Sequence, residues 1–198
     1  MIDKSDVPGD GPVLGAARDA RLSDGPRPPR YLAGLDLAGR RVVVVGGGTV
    51  AARRIPALLE AGALVRLVCP QASVVLVRLA EDGVLEWTVR AYRAGDLDGA
   101  WYVLAVTNVP AVNQEVAEAA EAARTFCVRG DRATAGSAVT PALGVRGEVR
   151  FGVLGGGDPR RAAAARDVLL GALQDSENRE RQSDEAGGQQ RNSIPPEP

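Results

Sequence analysis

Four valines in succession, Val42 to Val45, follow Arg41 and lead into three glycines. An unbroken β-branched run is the pattern of a strand covered on both faces, so Arg41–Val45 is read as the first strand. The period then changes. Val50–Ala61 spaces its apolar residues as a helix, and Gly62 closes it as a C-terminal cap. Pro56 inside that run predicts a kink or a shifted start. Leu64–Cys69 is a second strand, and Ala72–Glu81 is a short helix ended by Asp82-Gly83. Leu85–Arg90 alternates as a third strand and Trp101–Val106 is a fourth. Ala111–Arg124 is an alanine-rich helix and Phe126–Val128 a fifth strand. Strands and helices in this order predict a Rossmann-type, doubly wound parallel sheet.

Beyond the fifth strand the alternation stops. Ala138–Pro141 and Glu148–Val153 read as two strands about a turn at Gly144–Gly147. Pro159–Leu173 reads as a helix with Asp158 as N-cap and Pro159 at its first position. The predicted class is α/β, a parallel sheet followed by a small α+β unit. Residues 1–30, rich in Gly, Pro, Asp and Arg, read as a mobile arm, and the polar stretch 175–198 as a disordered tail. The folded part then divides into a domain at 31–131 and the smaller unit at 132–174.

Composition narrows the chemistry. The net charge is -1 and aromatics make up 4% of the chain, which argues against a basic nucleic-acid binder or a base-stacking surface. Histidine is absent, which removes the commonest general base and metal ligand. Cys69 and Cys127 each lie in an apolar strand-like run and are expected to be buried, reduced thiols. No apolar run approaches the roughly 20 residues that span a bilayer. The first residues also lack the apolar core of a secretory signal. The expected protein is cytoplasmic, without membrane or nucleic-acid partners.

Gly46, Gly48 and Ala51 match G-x-G-x-x-[GA] directly after a strand and before a helix, the context that a dinucleotide-binding turn needs. Gly46 permits the tight turn, and Gly48 lets the backbone approach a pyrophosphate. Ala51 lets the helix lie close on the sheet, with its free N–H groups toward the phosphates. The second strand ends in Val68-Cys69-Pro70-Gln71, without the acid that usually holds the ribose, so NAD and NADP both stay open. Gln71 either bonds the ribose as a neutral group or caps the next helix at the surface. Thr107 and Asn108 end the fourth strand at the crevice edge, where Asn108 either touches the cofactor or caps the following helix. Asp131, just beyond the fifth strand, is the best-placed carboxylate for acid–base work, or a surface ion-pair partner. Arg129, Arg132, Arg146, Arg150, Arg160 and Arg161 either serve a polycarboxylate or phosphate or lie on a solvated surface.

Three separated stretches carry a family resemblance: "YLAGLDLAGRRVVVVGGGTVAARRIPALLEAGALVRLVCP", "GDLDGAWYVLAVTNVPAVNQEVAEAA" and "TFCVRGD…TPA". In order and spacing they resemble the N-terminal module of siroheme synthases, the precorrin-2 dehydrogenase and sirohydrochlorin ferrochelatase family, over Tyr31 to Leu173. "DPRRAAAARD" is similar to the actinobacterial version, often fused to a methyltransferase domain for which this chain has no room. The resemblance implies an NAD-dependent enzyme that converts precorrin-2 to sirohydrochlorin. It also implies a homodimer built through the second unit. It assigns cofactor contacts to Gly46, Gly48, Thr49, Val50, Pro70 and Gln71, and the catalytic aspartate to Asp131. A polycarboxylate substrate gives Arg129, Arg132 and Arg150 a role. The family's Asn-Val-Val-Asp is Val128-Arg129-Gly130-Asp131 here, and its hydroxyl-bearing glycine loop is Leu154-Gly155-Gly156-Gly157. Both departures, and a polar tail in place of a further helical region, bear on iron insertion more than on oxidation. A non-catalytic NAD- or tetrapyrrole-binding sensor or carrier fits the same residues, as does a dehydrogenase of an unrelated small acid.

Overall fold

The computed structural model describes residues 29–191. Most of the expected N-terminal arm and the last residues of the expected tail lie outside the described residues. The chain divides into two units, Met1–Ala33 and Gly34–Pro198. Every helix and strand described here belongs to the second. The order is β1 (Arg41–Gly47), α1 (Thr49–Glu60), β2 (Leu64–Ala72), α2 (Val74–Glu81), β3 (Glu86–Thr88), β4 (Tyr102–Ala105), α3 (Pro110–Ala122) and β5 (Phe126–Arg129). A 3-10 turn at Ala133–Ala135 leads to β6 (Ala142–Arg146), β7 (Val149–Val153) and α4 (Pro159–Arg191).

The first five strands form one parallel sheet in the order β3-β2-β1-β4-β5. The α/β class and the doubly wound topology are therefore as the alternation predicts. The valine run explains how. Val42 and Val44 enter the layer that holds Ala51 and Ile55 of α1 and Leu76 of α2. Val43 and Val45 enter the opposite layer with Val116 and Ala120 of α3. All four valines are at most 1% exposed. A strand with helices on both faces has no polar side, which is why the run does not alternate. Pro56 does not break α1, which continues to Glu60 with the proline on its exposed side. Cys69 and Cys127 are free and buried, as expected.

The second half differs from its prediction in three places. Ala138 makes only an isolated bridge to Val128, and the first hairpin strand is Ala142–Arg146. Gly144 lies within that strand, not in the turn, because the Phe151 ring packs where a Gly144 side chain would stand. The helix from Pro159 passes the expected end at Leu173 and reaches Arg191. Glu177 supports that extension by bonding Arg146 of β6 at 2.8 and 3.0 Å. At its start Asp158 accepts the Arg160 N–H at 2.8 Å, the cap read from the sequence.

Candidate functional site

The carboxyl ends of β1, β2 and β4 open on one cleft of about 820 Å³. It lies where the strand order reverses between β1 and β4, the position at which such sheets bind ligands. The glycine turn forms its floor, and each glycine there has its own reason. Gly46 has φ 115° and lies against the Val106–Thr107 backbone, where a side chain would meet the Val106 carbonyl carbon at 2.7 Å. Gly47, which the motif leaves unspecified, is the most crowded. A side chain there would run into the Gln71 carbonyl and stand 2.6 Å from Cys69 Sγ. Gly48 faces open space. Thr49 and Val50 begin α1 at the cleft wall, and the first-turn N–H groups of a helix lack intrahelical partners. Ala51 is fully buried against the sheet.

Across the cleft, the β1–β2 pairing jumps from Val45↔Val68 to Gly47↔Ala72. The extra residues of β2 carry Pro70 and Gln71 to the cleft, both exposed. Gln71 does not cap α2, since Ser73 holds that position. Ser73 Oγ is buried in the same wall without a hydrogen-bond partner, a donor that a ligand can satisfy. Thr107, Asn108 and Val109 close the β4 side. The N-cap of α3 is Val109, so Asn108 does not cap that helix and faces the cleft instead.

Asn113 does the anchoring that the sequence offered to Asn108. Its side chain is 0% exposed. Its Oδ1 accepts the Thr107 N–H at 2.9 Å, and its Nδ2 donates to the Thr107 carbonyl at 3.0 Å. The Thr107 hydroxyl lies 2.8 Å from the same Oδ1 and 3.0 Å from the Val109 carbonyl oxygen, with one hydrogen to donate. Sequence reasoning missed Asn113, which does not itself line the cleft, as it missed Ala91 and Tyr92, which do. Polar positions inside an alanine-rich helix are the one signal that pointed to Asn113. Nothing in the pattern marks the loop after β3.

Asp131 lies beyond β5 and does not line the cleft. Arg129 holds it through two bonds, Nη2 to Oδ2 at 2.6 Å and Nε to Oδ1 at 3.1 Å. That guanidinium keeps the carboxyl below the usual carboxylate range, helped by the Asp131 backbone N–H and by Asn113. The Arg129 side chain is 4% exposed, and its third nitrogen donates to Gln114 Oε1. It is committed within the protein and does not present itself to a ligand. Arg132 is exposed beside Asp131. Arg150 on β7 pairs with Glu60 of α1, and Arg146 pairs with Glu177. The six arginines therefore do not form one cluster. Among the described residues that line the cleft, Glu115 alone is charged.

A bare glycine turn, a helix start and a cleft at the switch point define a dinucleotide-binding α/β domain. A family described as "Putative NAD(P)-binding" matches residues 33–142, which include the turn, the cleft and Asp131. The chain belongs to this family, in the version carried by siroheme synthases as their N-terminal module. It is 37% identical over 143 residues to "Siroheme synthase" of Xylella fastidiosa (strain M12), covering 71% of this chain and 30% of that protein. It is 42% identical over 91 residues to "Siroheme synthase 1" of Serratia proteamaculans (strain 568), covering 46% of this chain and 19% of that protein. The chain thus spans less than a third of the length of these curated relatives. Among solved structures it resembles "SirC, precorrin-2 dehydrogenase", with TM-score 0.63 and 28% identity over 72% of this chain and 71% of that one. Among the described residues no helix is long and apolar enough to cross a membrane.

Proposed function

We propose that the chain binds NAD in this cleft and oxidises precorrin-2 to sirohydrochlorin, within siroheme formation. One observation carries the reading: Gly48 opens the head of α1 onto the cleft while Gly46 and Gly47 are locked against the sheet. The likeness to SirC supports the substrate. The residues fit the cofactor. Gly48 leaves room for a pyrophosphate, and the unpaired Ser73 hydroxyl offers a donor near Pro70 and Gln71. NAD is favoured over NADP because no Lys or Arg is among the described residues lining the cleft, and a 2′-phosphate calls for a cation.

When bound, NAD supplies the hydride acceptor. Gly46, Gly48, Thr49 and Val50 take the pyrophosphate, Pro70 and Gln71 border the ribose, and Thr107 and Asn108 border the β4 side. Asp131 accepts the proton that leaves with the hydride, and Arg129 keeps it ionised until then. Arg132 and Arg150 remain the candidates for substrate carboxylates. Arg129 instead serves Asp131. A homodimer extends the reading. Leu143 and Val145 on one face of the hairpin and Val168 and Leu169 on α4 are 45% to 72% exposed, apolar surface that a second copy would cover. Iron insertion calls for a group that takes two pyrrole protons. Asp131 is a single carboxylate, and among the described residues no group of three His, Cys, Asp or Glu could hold a metal ion.

Asp131→Asn tests the assignment. We expect kcat to fall by about 100-fold or more, with NAD affinity unchanged. Wild-type turnover in that variant would remove Asp131 from the mechanism. Binding of NADP as tight as NAD would overturn the cofactor choice. Cofactor binding with no product from the wild-type protein would identify a sensor or carrier.

A further inference from the structure

Two neighbouring residues of α3 hold the two halves of the site. Asn113 fixes all three polar groups of Thr107, its N–H, carbonyl and hydroxyl, at 2.8 to 3.0 Å. Thr107 lies in the cleft wall. Gln114, the next residue, accepts a hydrogen bond from Arg129, which in turn holds Asp131 by two bonds. The Gln114 amide is oriented by a third contact, since its Nε2 donates to Glu118 Oε1 at 2.6 Å one turn along the helix. Arg129 is 5% exposed, so its direction is set by these protein contacts rather than by water.

A buried helix position has no structural need of an amide side chain. Apolar residues stand at Ala111 and Val112 just before these two. Asn113 is fully buried where an apolar residue would pack without the cost of desolvation. Its amide oxygen and nitrogen both bond the cofactor loop at Thr107, and the same side chain supports Asp131, so its place is explained by these two neighbours. Gln114 is exposed, yet its oxygen is spent on a buried guanidinium.

We propose that Asn113 and Gln114 are positioning residues, the first for the cofactor loop at Thr107 and the second, through Arg129, for Asp131. Because they are adjacent on one rigid helix, α3 sets the spacing between the cofactor and the proton acceptor. This rests on the dehydrogenase reading for its consequence in turnover, and not for its geometry. Arg129 and Asp131 on the β5 side, and Glu118 through Gln114 on the α3 side, are the charged groups of this chain of contacts.

Two readouts that do not need turnover test it. Carbon NMR of the Asp131 carboxyl reports its titration, and calorimetry reports NAD binding. Gln114→Ala should move the Asp131 titration up toward the usual carboxylate range and leave NAD affinity within about twofold. It should also lower kcat by roughly 10- to 100-fold at unchanged KM for NAD. Asn113→Asp keeps the acceptor for the Thr107 N–H and loses the donor to its carbonyl. It should weaken NAD by about tenfold, the loss of one hydrogen bond. Asn113→Ser serves in its place if that variant does not fold. An Asp131 titration unmoved in Gln114→Ala, or unchanged NAD affinity in a folded Asn113 variant, would overturn the proposal. A wild-type protein that binds NAD without turning over precorrin-2 would instead fail the dehydrogenase reading and leave these two measurements standing.

Discussion

The parallel sheet and the hairpin with α4 come from the same chain but are built on opposite terms. In the sheet, β1 and β4 are covered on both faces, and residues such as Val43, Leu67 and Leu104 are at most 1% exposed. In the hairpin and helix, apolar side chains stand in the open, with Val168 at 72% and Val149 at 53%. Ala162 is the only α4 residue in the core among those described. Held together there are ion pairs, Arg146 with Glu177 and Arg150 with Glu60. Exposed pairs of that kind contribute little by themselves. The first region buries its apolar side chains within itself, while the second leaves apolar side chains at the surface, and the two respond differently to substitution.

The largest effect should come from the sheet. Leu104→Ala leaves a cavity between two packed layers and should cost about 2 to 5 kcal/mol, read from the shift in urea midpoint. Val168→Ser should change that midpoint by less than about 0.5 kcal/mol, since surface substitutions generally do. A large cost at Val168 in the monomer would break the contrast. Next come the glycines. Gly47→Ala must push against the Gln71 carbonyl and Cys69, and overpacking should cost about 1 to 3 kcal/mol. Gly48→Ala meets open space, so stability should hold while NAD affinity falls. Equal stability losses at the two positions would contradict the separate roles given to them.

A smaller effect should follow acid. Asp96 is 4% exposed and bonds Arg90 at 2.6 and 2.7 Å, which holds its carboxyl below the usual range. A carboxylate depressed in the folded state stabilises above its unfolded pKa and loses that contribution as pH falls through the folded value. Asp96→Asn should therefore lower the urea midpoint near neutral pH, and the gap to wild type should close in acid. A gap that persists below the carboxylate range would assign the effect to packing. The smallest effect on the monomer, and the one that tests the second region, is Val145→Glu. It should leave the midpoint almost unchanged and shift sedimentation toward the monomer.

Much of the sheet was legible because its signals are local. A continuous valine run, a glycine turn and alternating periods each follow from a few neighbouring residues. The hairpin was harder to read. Its short strands and its turn depend on Phe151 meeting Gly144 across the ladder, a contact between distant positions. The α4 extension was missed because its support, Glu177 on Arg146, links residues far apart in sequence. The same divide holds in the site. Gly46 and Gly48 were placed by motif and Thr49 and Val50 by the family resemblance, and all four line the cleft. Arg129 was offered to a substrate because its type and neighbourhood suggested it. Only the fold shows that Gln114 and Asp131 already occupy it. Asn113 carried no motif at all, since its meaning comes from where the β4 loop passes.

The central claim is that this cleft takes NAD and serves the oxidation of precorrin-2. The direct measurement is an anaerobic assay of the purified chain with enzymatically made precorrin-2 and NAD, following NADH and sirohydrochlorin by absorbance. The account predicts equimolar NADH and sirohydrochlorin that depend on the protein, and loss of both in Asp131→Asn. NAD bound in the cleft with no product above the protein-free control would contradict it.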